Sequence, residues 1–192
     1  MKEPLELFTT LTNLTKQSEA FYVTEQVLDD VTYWIFLYRL ASYSDFLLPG
    51  ALEARGIMFE VKDGKFVRLA SRPPHKFFNL GENPITLDLN YADVEEVMVK
   101  EDGSLISTYW HNGELRLKTK GSLFSPQCVD AMNYLNKPEN SDLKGLLSYL
   151  TNPEEKGITV NLEWVSPSNR IVLPYQKSSL VILNMRYTES GD

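Results

Sequence analysis

One stretch sets a lysine where it could do covalent chemistry: Val97-Met98-Val99-Lys100-Glu101-Asp102-Gly103-Ser104-Leu105. An apolar, β-branched run ends on Lys100, an Asp-Gly pair follows, and a second apolar run leaves it. The pattern predicts a strand over residues 95–99 that carries a primary amine to a tight turn. The chemistry of such an amine is nucleophilic attack. A lysine of ordinary pKa (~10.4) is neutral in roughly one molecule in a thousand at pH 7. It needs burial, cationic neighbours or a metal to react. Arg55 and Lys120 are candidate cationic neighbours. Attack at phosphorus would further require cations around the phosphate oxygens. Taken singly, Lys-x-Asp-Gly also describes an exposed turn, and a lone glutamate such as Glu163 also describes a solvated strand face.

Other chemistries have less support. Two histidines, His75 and His111, and a single cysteine, Cys128, cannot build a typical zinc site or an internal disulfide. No G-x-S-x-G elbow and no phosphate-binding P-loop is present. The 192 residues suffice for one domain with a core. No apolar run approaches membrane-spanning length, and the N-terminus lacks the apolar region of a signal peptide, so no membrane contact and a cytoplasmic location are expected. A net charge of −7 confines any nucleic-acid contact to local clusters. Arg68, Arg72, His75 and Lys76 form one candidate, and Arg116, Lys118 and Lys120 another. Taken alone, each reads first as a solvated strand edge.

The elements that must position these groups are mostly strands. A helix is expected over residues 4–16 and strands over 31–38, 55–61 and 65–70, the last two joined at Asp63-Gly64. Residues 72–78, with Pro73-Pro74, form a rigid connector, and 85–89 a short strand. Strands over 105–109 and 115–120 meet at Asn112-Gly113. In the second, Leu115, Leu117 and Thr119 share one face and Arg116, Lys118 and Lys120 the other. Helices follow at Ser125-Pro126, with a Val129, Met132, Leu135 stripe, and at Ser141, with Leu143, Leu146, Leu147 and Leu150. Strands over 158–165, 171–173 and 179–185 close the chain, with Glu163 opposite the apolar face of the first. The order fits an α+β domain of largely antiparallel sheets with flanking helices.

Several blocks in order narrow the reading. Lys100-Glu101-Asp102-Gly103-Ser104 resembles the K-x-D-G motif of covalent nucleotidyltransferases, the ATP- and GTP-dependent ligases and capping enzymes. Residues 41–45, 53–60, 70–73, 76–80, 120–122 and 169–172 are similar to the RNA ligase 1 family of the T-even phages, and the resemblance runs over about residues 5–186. A DNA ligase or capping enzyme matches the motif but not these flanking blocks.

The resemblance implies an ATP-dependent RNA ligase with a nucleotidyltransferase domain. Lys100 would attack the α-phosphate of ATP to give lysyl-AMP. AMP would pass to an RNA 5′-phosphate, and a 3′-hydroxyl would seal the strand, with tRNA as the RNA. Arg55 and Lys76 would contact the ATP phosphates, Tyr38 and Phe78 would lie near the nucleotide, and Glu163 would accept a hydrogen bond from the ribose. Lys120 would support adenylylation. Glu101, Asp102 and Gly103 complete the motif. Magnesium is expected, bound through waters, phosphates and few carboxylates, with no metal-ligating residue assigned. The family pattern continues past Glu163 to an acidic motif and a lysine pair, and residues 164–192 hold neither, Lys177 being the one lysine there. The expectation is therefore an N-terminal portion of the domain over residues 1–192, complemented by a second polypeptide, or else a non-catalytic nucleotide- or RNA-binding remnant.

Overall fold

A computed structural model of the chain describes residues 3–192. Three tight turns organise it. Backbone φ is positive at both Asp29 and Asp30 (47° and 62°), at Asp63 and Gly64 (51° and 71°) and at Asn112 and Gly113 (48° and 79°). Paired positive φ is what a type I′ hairpin turn requires. These turns join β1 (Phe21–Leu28) to β2 (Val31–Tyr38), β3 (Ile57–Lys62) to β4 (Lys65–Ser71), and β5 (Ser104–His111) to β6 (Glu114–Thr119). With β7 (Ile158–Val165) and β8 (Ser179–Tyr187) they make two antiparallel four-stranded sheets, ordered β1-β2-β3-β4 and β6-β5-β7-β8.

Three apolar clusters stack the layers. Helix α1 (Pro4–Gln17) buries Leu7, Phe8, Leu11 and Leu14 against Phe36, Phe59 and Leu69 of the first sheet. Between the sheets lie Tyr33, Ile35, Leu37, Met58, Ala70, Tyr109 and Leu123. On the far face of the second sheet, Ala131, Leu135 and Leu147 of α3 (Pro126–Leu135) and α4 (Ser141–Thr151) cover Ile106, Leu117, Leu162 and Trp164. Strand β2 is apolar on both faces because both are covered, Ile35 and Leu37 by the second sheet and Phe36 by α1. Polar pairs also tie the sheets. Tyr33 Oη lies 2.7 Å from His111 Nδ1, and Ser71 Oγ donates to the Thr108 carbonyl at 2.8 Å.

The expected α+β class holds, with corrections. Residues 95–99 are not a strand. They belong to neither sheet, and Val97 and Val99 are 89% and 80% exposed. Nothing among the described residues lies alongside to complete a ladder, so β propensity has no partner to act through. Residues 171–173 likewise bend outside both sheets. The short strand expected at 85–89 is instead a single helical turn, α2 (Pro84–Leu87). Asn83 caps it through the Ile85 N–H, and Thr86 completes a capping box. Strand β1 had no counterpart in the sequence reading.

In α3 the buried positions are Cys128, Ala131 and Leu135, and Val129 faces solvent. Cys128 turns inward, where its Sγ donates to the Leu117 and Leu123 carbonyls. In α4, Leu147 is buried and Leu146 exposed. Its N-cap is Asn140, and Ser141 is its first helical residue, because the one-turn helix Pro138–Asn140 runs directly into it.

Candidate functional site

A cleft of about 730 Å³ opens where β2, residues 74–79, the end of the 94–100 segment, β7 and β8 approach one another. Its walls bring together Tyr38, Arg55, Lys76, Lys100, Glu101, Gly103 and Glu163 from across the chain. Phe78, Asp102 and Lys120 do not line it. Phe78 lies against the Lys76 amine, Lys120 against the Tyr38 ring, and Asp102 between Glu101 and Gly103 in the chain.

Each group has a local reason for its place. Arg55 precedes Gly56, whose φ is +95° and whose missing side chain leaves room for the Lys120 carbonyl. Any Cβ there would collide with that carbonyl, so glycine is required. The Arg55 guanidinium lies 4.7 Å over the Phe77 ring. Burial lowers its pKa, while Tyr38 and Glu163 act in the opposite sense. Its Nη1 is buried without a hydrogen-bond partner. An unpaired guanidinium nitrogen beside an open cleft is a donor available to an anion.

Lys76 is carried by the 72–78 connector. Its backbone N–H donates to the Leu52 carbonyl at 2.8 Å, and its Nζ sits 4.3 Å over the Phe78 ring. Phe78 in turn packs edge-on to Phe46. Lys120 Nζ lies 5.1 Å over the Tyr38 ring. Burial lowers the Lys120 pKa, and the charges of Arg55 and Lys76 lower it further. The three cations therefore share one neighbourhood.

The connector is anchored by buried charge. Glu53 Oε1 accepts from Arg72 Nη2 at 2.6 Å, Glu53 Oε2 accepts from Arg186 Nη1 at 3.0 Å, and His75 Nε2 lies 2.8 Å from Oε1. Burial alone would raise the Glu53 pKa. The hydrogen bonds from His75, Arg186 and Arg72 outweigh it and hold the carboxyl well below the usual range. Arg186 Nη1 also donates to the Pro73 carbonyl at 2.6 Å.

On the opposite wall, Glu163 Oε1 accepts from the Gly103 N–H at 3.0 Å. Burial raises the Glu163 carboxyl, and the Gly103 N–H, Lys100 and Arg55 partly offset this. Gly103 passes directly over the Trp164 carbonyl, where a Cβ would clash. Asn169 Nδ2 donates to that same carbonyl at 2.9 Å. Asp102 accepts from the N–H groups of Val172 and Leu173 at 2.6 and 2.7 Å, which lower its pKa. Tyr175 Oη donates to Glu101 at 2.7 Å and accepts from the Asp102 N–H at 3.0 Å. Residues 101–103 are thus docked on β7 and on residues 172–175, while Lys100, just before them, is exposed. No tight Asp-Gly hairpin forms, because the chain is steered by the Trp164 contact instead.

The sequence model of a family described as RNA ligase matches residues 53–191. The chain belongs to the RNA ligase family. It is 35% identical to RNA ligase 1 of bacteriophage TS2126 over 152 residues, which is 76% of this chain and 37% of that protein. It is 32% identical over 155 residues to an inferred RNA ligase of Thermovibrio ammonificans, covering 80% of this chain and 39% of that protein. The chain thus spans about two-fifths of the length of these curated relatives.

In this member of the family the two basic clusters do not form continuous surfaces. Arg72 and His75 are committed to Glu53, and Arg68 Nε donates to Glu60 at 2.7 Å. Arg116 pairs with Glu114, and Lys118 is fully buried. Lys76 and Lys120 remain near the cleft. No group of three or more His, Cys, Asp or Glu side chains among the described residues could hold a metal ion. The cleft carboxylates Glu82, Glu101 and Glu163 do not form such a group. No helix among the described residues is long and apolar enough to cross a membrane.

Sequence reasoning missed Phe77, Glu82, Leu183 and Asn184, which also line the cleft. Asn184 had a signal, a polar residue interrupting the apolar run of β8. It accepts from Asn161 Nδ2 at 2.9 Å, and Asn161 accepts from Ser107 Oγ at 2.6 Å.

Proposed function

We propose that this chain forms the lysine-bearing part of an ATP-dependent RNA ligase, with Lys100 as nucleophile. The observation that carries the reading is convergence: Lys100, Arg55, Lys76, Tyr38 and Glu163 line one cleft. In the first step the neutral Lys100 amine attacks the α-phosphorus of ATP. A P–N bond forms, the P–O bond to the β-phosphate breaks, pyrophosphate leaves and the amine proton passes to solvent. Arg55 and Lys76 hold the phosphates, and Lys120 supports the adenylylation site from beside Tyr38. Tyr38 and Phe78 flank the nucleotide. Glu163, with Oε1 already bound to the Gly103 N–H, has Oε2 for a ribose hydroxyl. AMP then passes from Lys100 to an RNA 5′-phosphate, and a 3′-hydroxyl displaces AMP. A cytoplasmic tRNA is the proposed RNA. Bound Mg²⁺ would neutralise phosphate charge, held through waters and phosphate oxygens.

One observation favours dependence on a second polypeptide. Residues 94–99 have strand-forming side chains, lie in neither sheet and leave Val97, Met98 and Val99 exposed. A strand supplied from a second polypeptide would pair with them and fix Lys100.

Incubation with α-labelled ATP and magnesium, followed by a denaturing gel, tests the assignment. Label on the chain that disappears in Lys100→Ala is the expected result. Label that persists in Lys100→Ala, or ATP binding with no covalent label even in the presence of a complementing polypeptide, overturns it and favours a non-catalytic binding remnant.

A further inference from the structure

Lys118 has no part in the mechanism above, yet it is fully buried. It lies on β6, opposite Ser107 of β5 in register. Its Nζ donates to the Gly56 carbonyl at 2.8 Å and to the Thr119 carbonyl at 3.0 Å. No carboxylate pairs with it among the described residues. The titratable group that faces it is the Cys128 thiol of α3, which burial pushes up to about 11 and so keeps uncharged. Burial lowers the Lys118 amine to about 7, with Cys128 opposing weakly.

The two acceptors are informative. Gly56 adjoins Arg55, and Thr119 adjoins Lys120. Gly56 also rests against the Lys120 carbonyl, and its N–H donates to the Phe36 carbonyl at 2.9 Å. A buried amine is costly unless its donors are used. Here they are used on the backbone beside two cations of the candidate site.

We propose that Lys118 is a positioning residue: one buried amine fixes the main chain next to Arg55 and next to Lys120, and so sets the spacing of these two cations against the phosphates of a nucleotide. The proposal rests on the nucleotide-binding reading above. An apolar residue of similar length would fill the space but leave two carbonyls without their donor. The folded chain would survive with its cations less well placed.

The test is ATP affinity of the full chain in a double-mutant cycle with Arg55→Ala, with folding checked by circular dichroism. Lys118→Met is expected to weaken ATP binding about tenfold, about the worth of one phosphate hydrogen bond lost when the cations shift. In the Arg55→Ala background the same change should cost clearly less than tenfold, because part of its effect runs through Arg55 and the rest through Lys120. Independent losses that multiply, or unchanged affinity in a folded Lys118→Met, overturn the proposal. A wild-type chain that binds no ATP overturns the nucleotide reading and this proposal together, whereas failure of Lys118 alone leaves wild-type binding intact. Should Lys118→Met not fold, ¹⁵N-lysine spectra of the wild type decide. A Lys118 amine resonance that moves at ATP saturation supports the role, and one that stays fixed overturns it.

Discussion

The connector that brings Lys76 to the cleft and the segment that brings Lys100 there are held in opposite ways. Residues 72–78 are locked from below by Glu53, which is 8% exposed and takes bonds from Arg72, His75 and Arg186. Residues 94–100 lie in neither sheet and are solvent-exposed throughout. Fixation begins only at Glu101, Asp102 and Gly103, through Tyr175, Val172, Leu173 and Glu163. The difference suggests a division of labour. A rigid wall presents the proposed phosphate-binding cations, and the proposed nucleophile hangs from a wall that is rigid on one side of it only. Rigid placement costs nothing at the moment of reaction. A loose nucleophile leaves room for a partner strand or a bound nucleotide to complete the geometry.

Removing the lock should have the largest effect. Glu53→Ala leaves Arg72 and Arg186 buried without their carboxylate, and should destabilise the chain by about 3–5 kcal/mol in a denaturant titration. Loss within error of zero would mean that the connector is held by other contacts. The same carboxyl predicts an acid response. Its folded pKa lies below the unfolded value, so its contribution is complete above the carboxylate range and is lost as pH falls through that range towards the folded pKa. Glu53→Gln should flatten the acid limb of stability against pH.

Gly103→Ala sharpens the comparison from the other side. A Cβ there meets the Trp164 carbonyl, and the backbone must move. A cost of about 1–3 kcal/mol is expected, together with loss of Lys100 labelling out of proportion to it. Asp102→Ala should have the smallest effect. It removes the acceptor of the Val172 and Leu173 N–H groups, so hydrogen exchange at those two amides should accelerate while the global midpoint stays put. Slow exchange over residues 94–99 in the wild type would break the contrast itself.

Much of this could be read from the chain. The Asp63-Gly64 and Asn112-Gly113 turns, the alternation of β7 and the proline at the start of α3 are local features, and local chemistry decides them. Strand β1 escaped because its edge position leaves Tyr22, Val23 and Val27 partly in solvent among polar neighbours, so no clean alternation marks it. Its Asp29-Asp30 turn lacks the glycine that marks the other two, although aspartate tolerates positive φ and here does so twice. Residues 95–99 misled in the other direction, since side-chain preference cannot supply a neighbouring strand. The convergence of Lys100, Arg55, Lys76 and Glu163 was expected from family resemblance. The Glu53 lock and the burial of Lys118 were not visible, because each joins residues far apart in sequence: Glu53 to Arg186, Lys118 to Gly56.

The cleft takes its walls from residues spread between Tyr38 and Asn184, and from both sheets. No ribosome-bound fragment that stops short of β8 can assemble it. Occupancy therefore reports on completion of the fold. A ligand held there at a hundred times its dissociation constant would add about 2.7 kcal/mol to global stability rather than to one hairpin. The midpoint of thermal unfolding then becomes a sensitive screen for whatever the cleft binds.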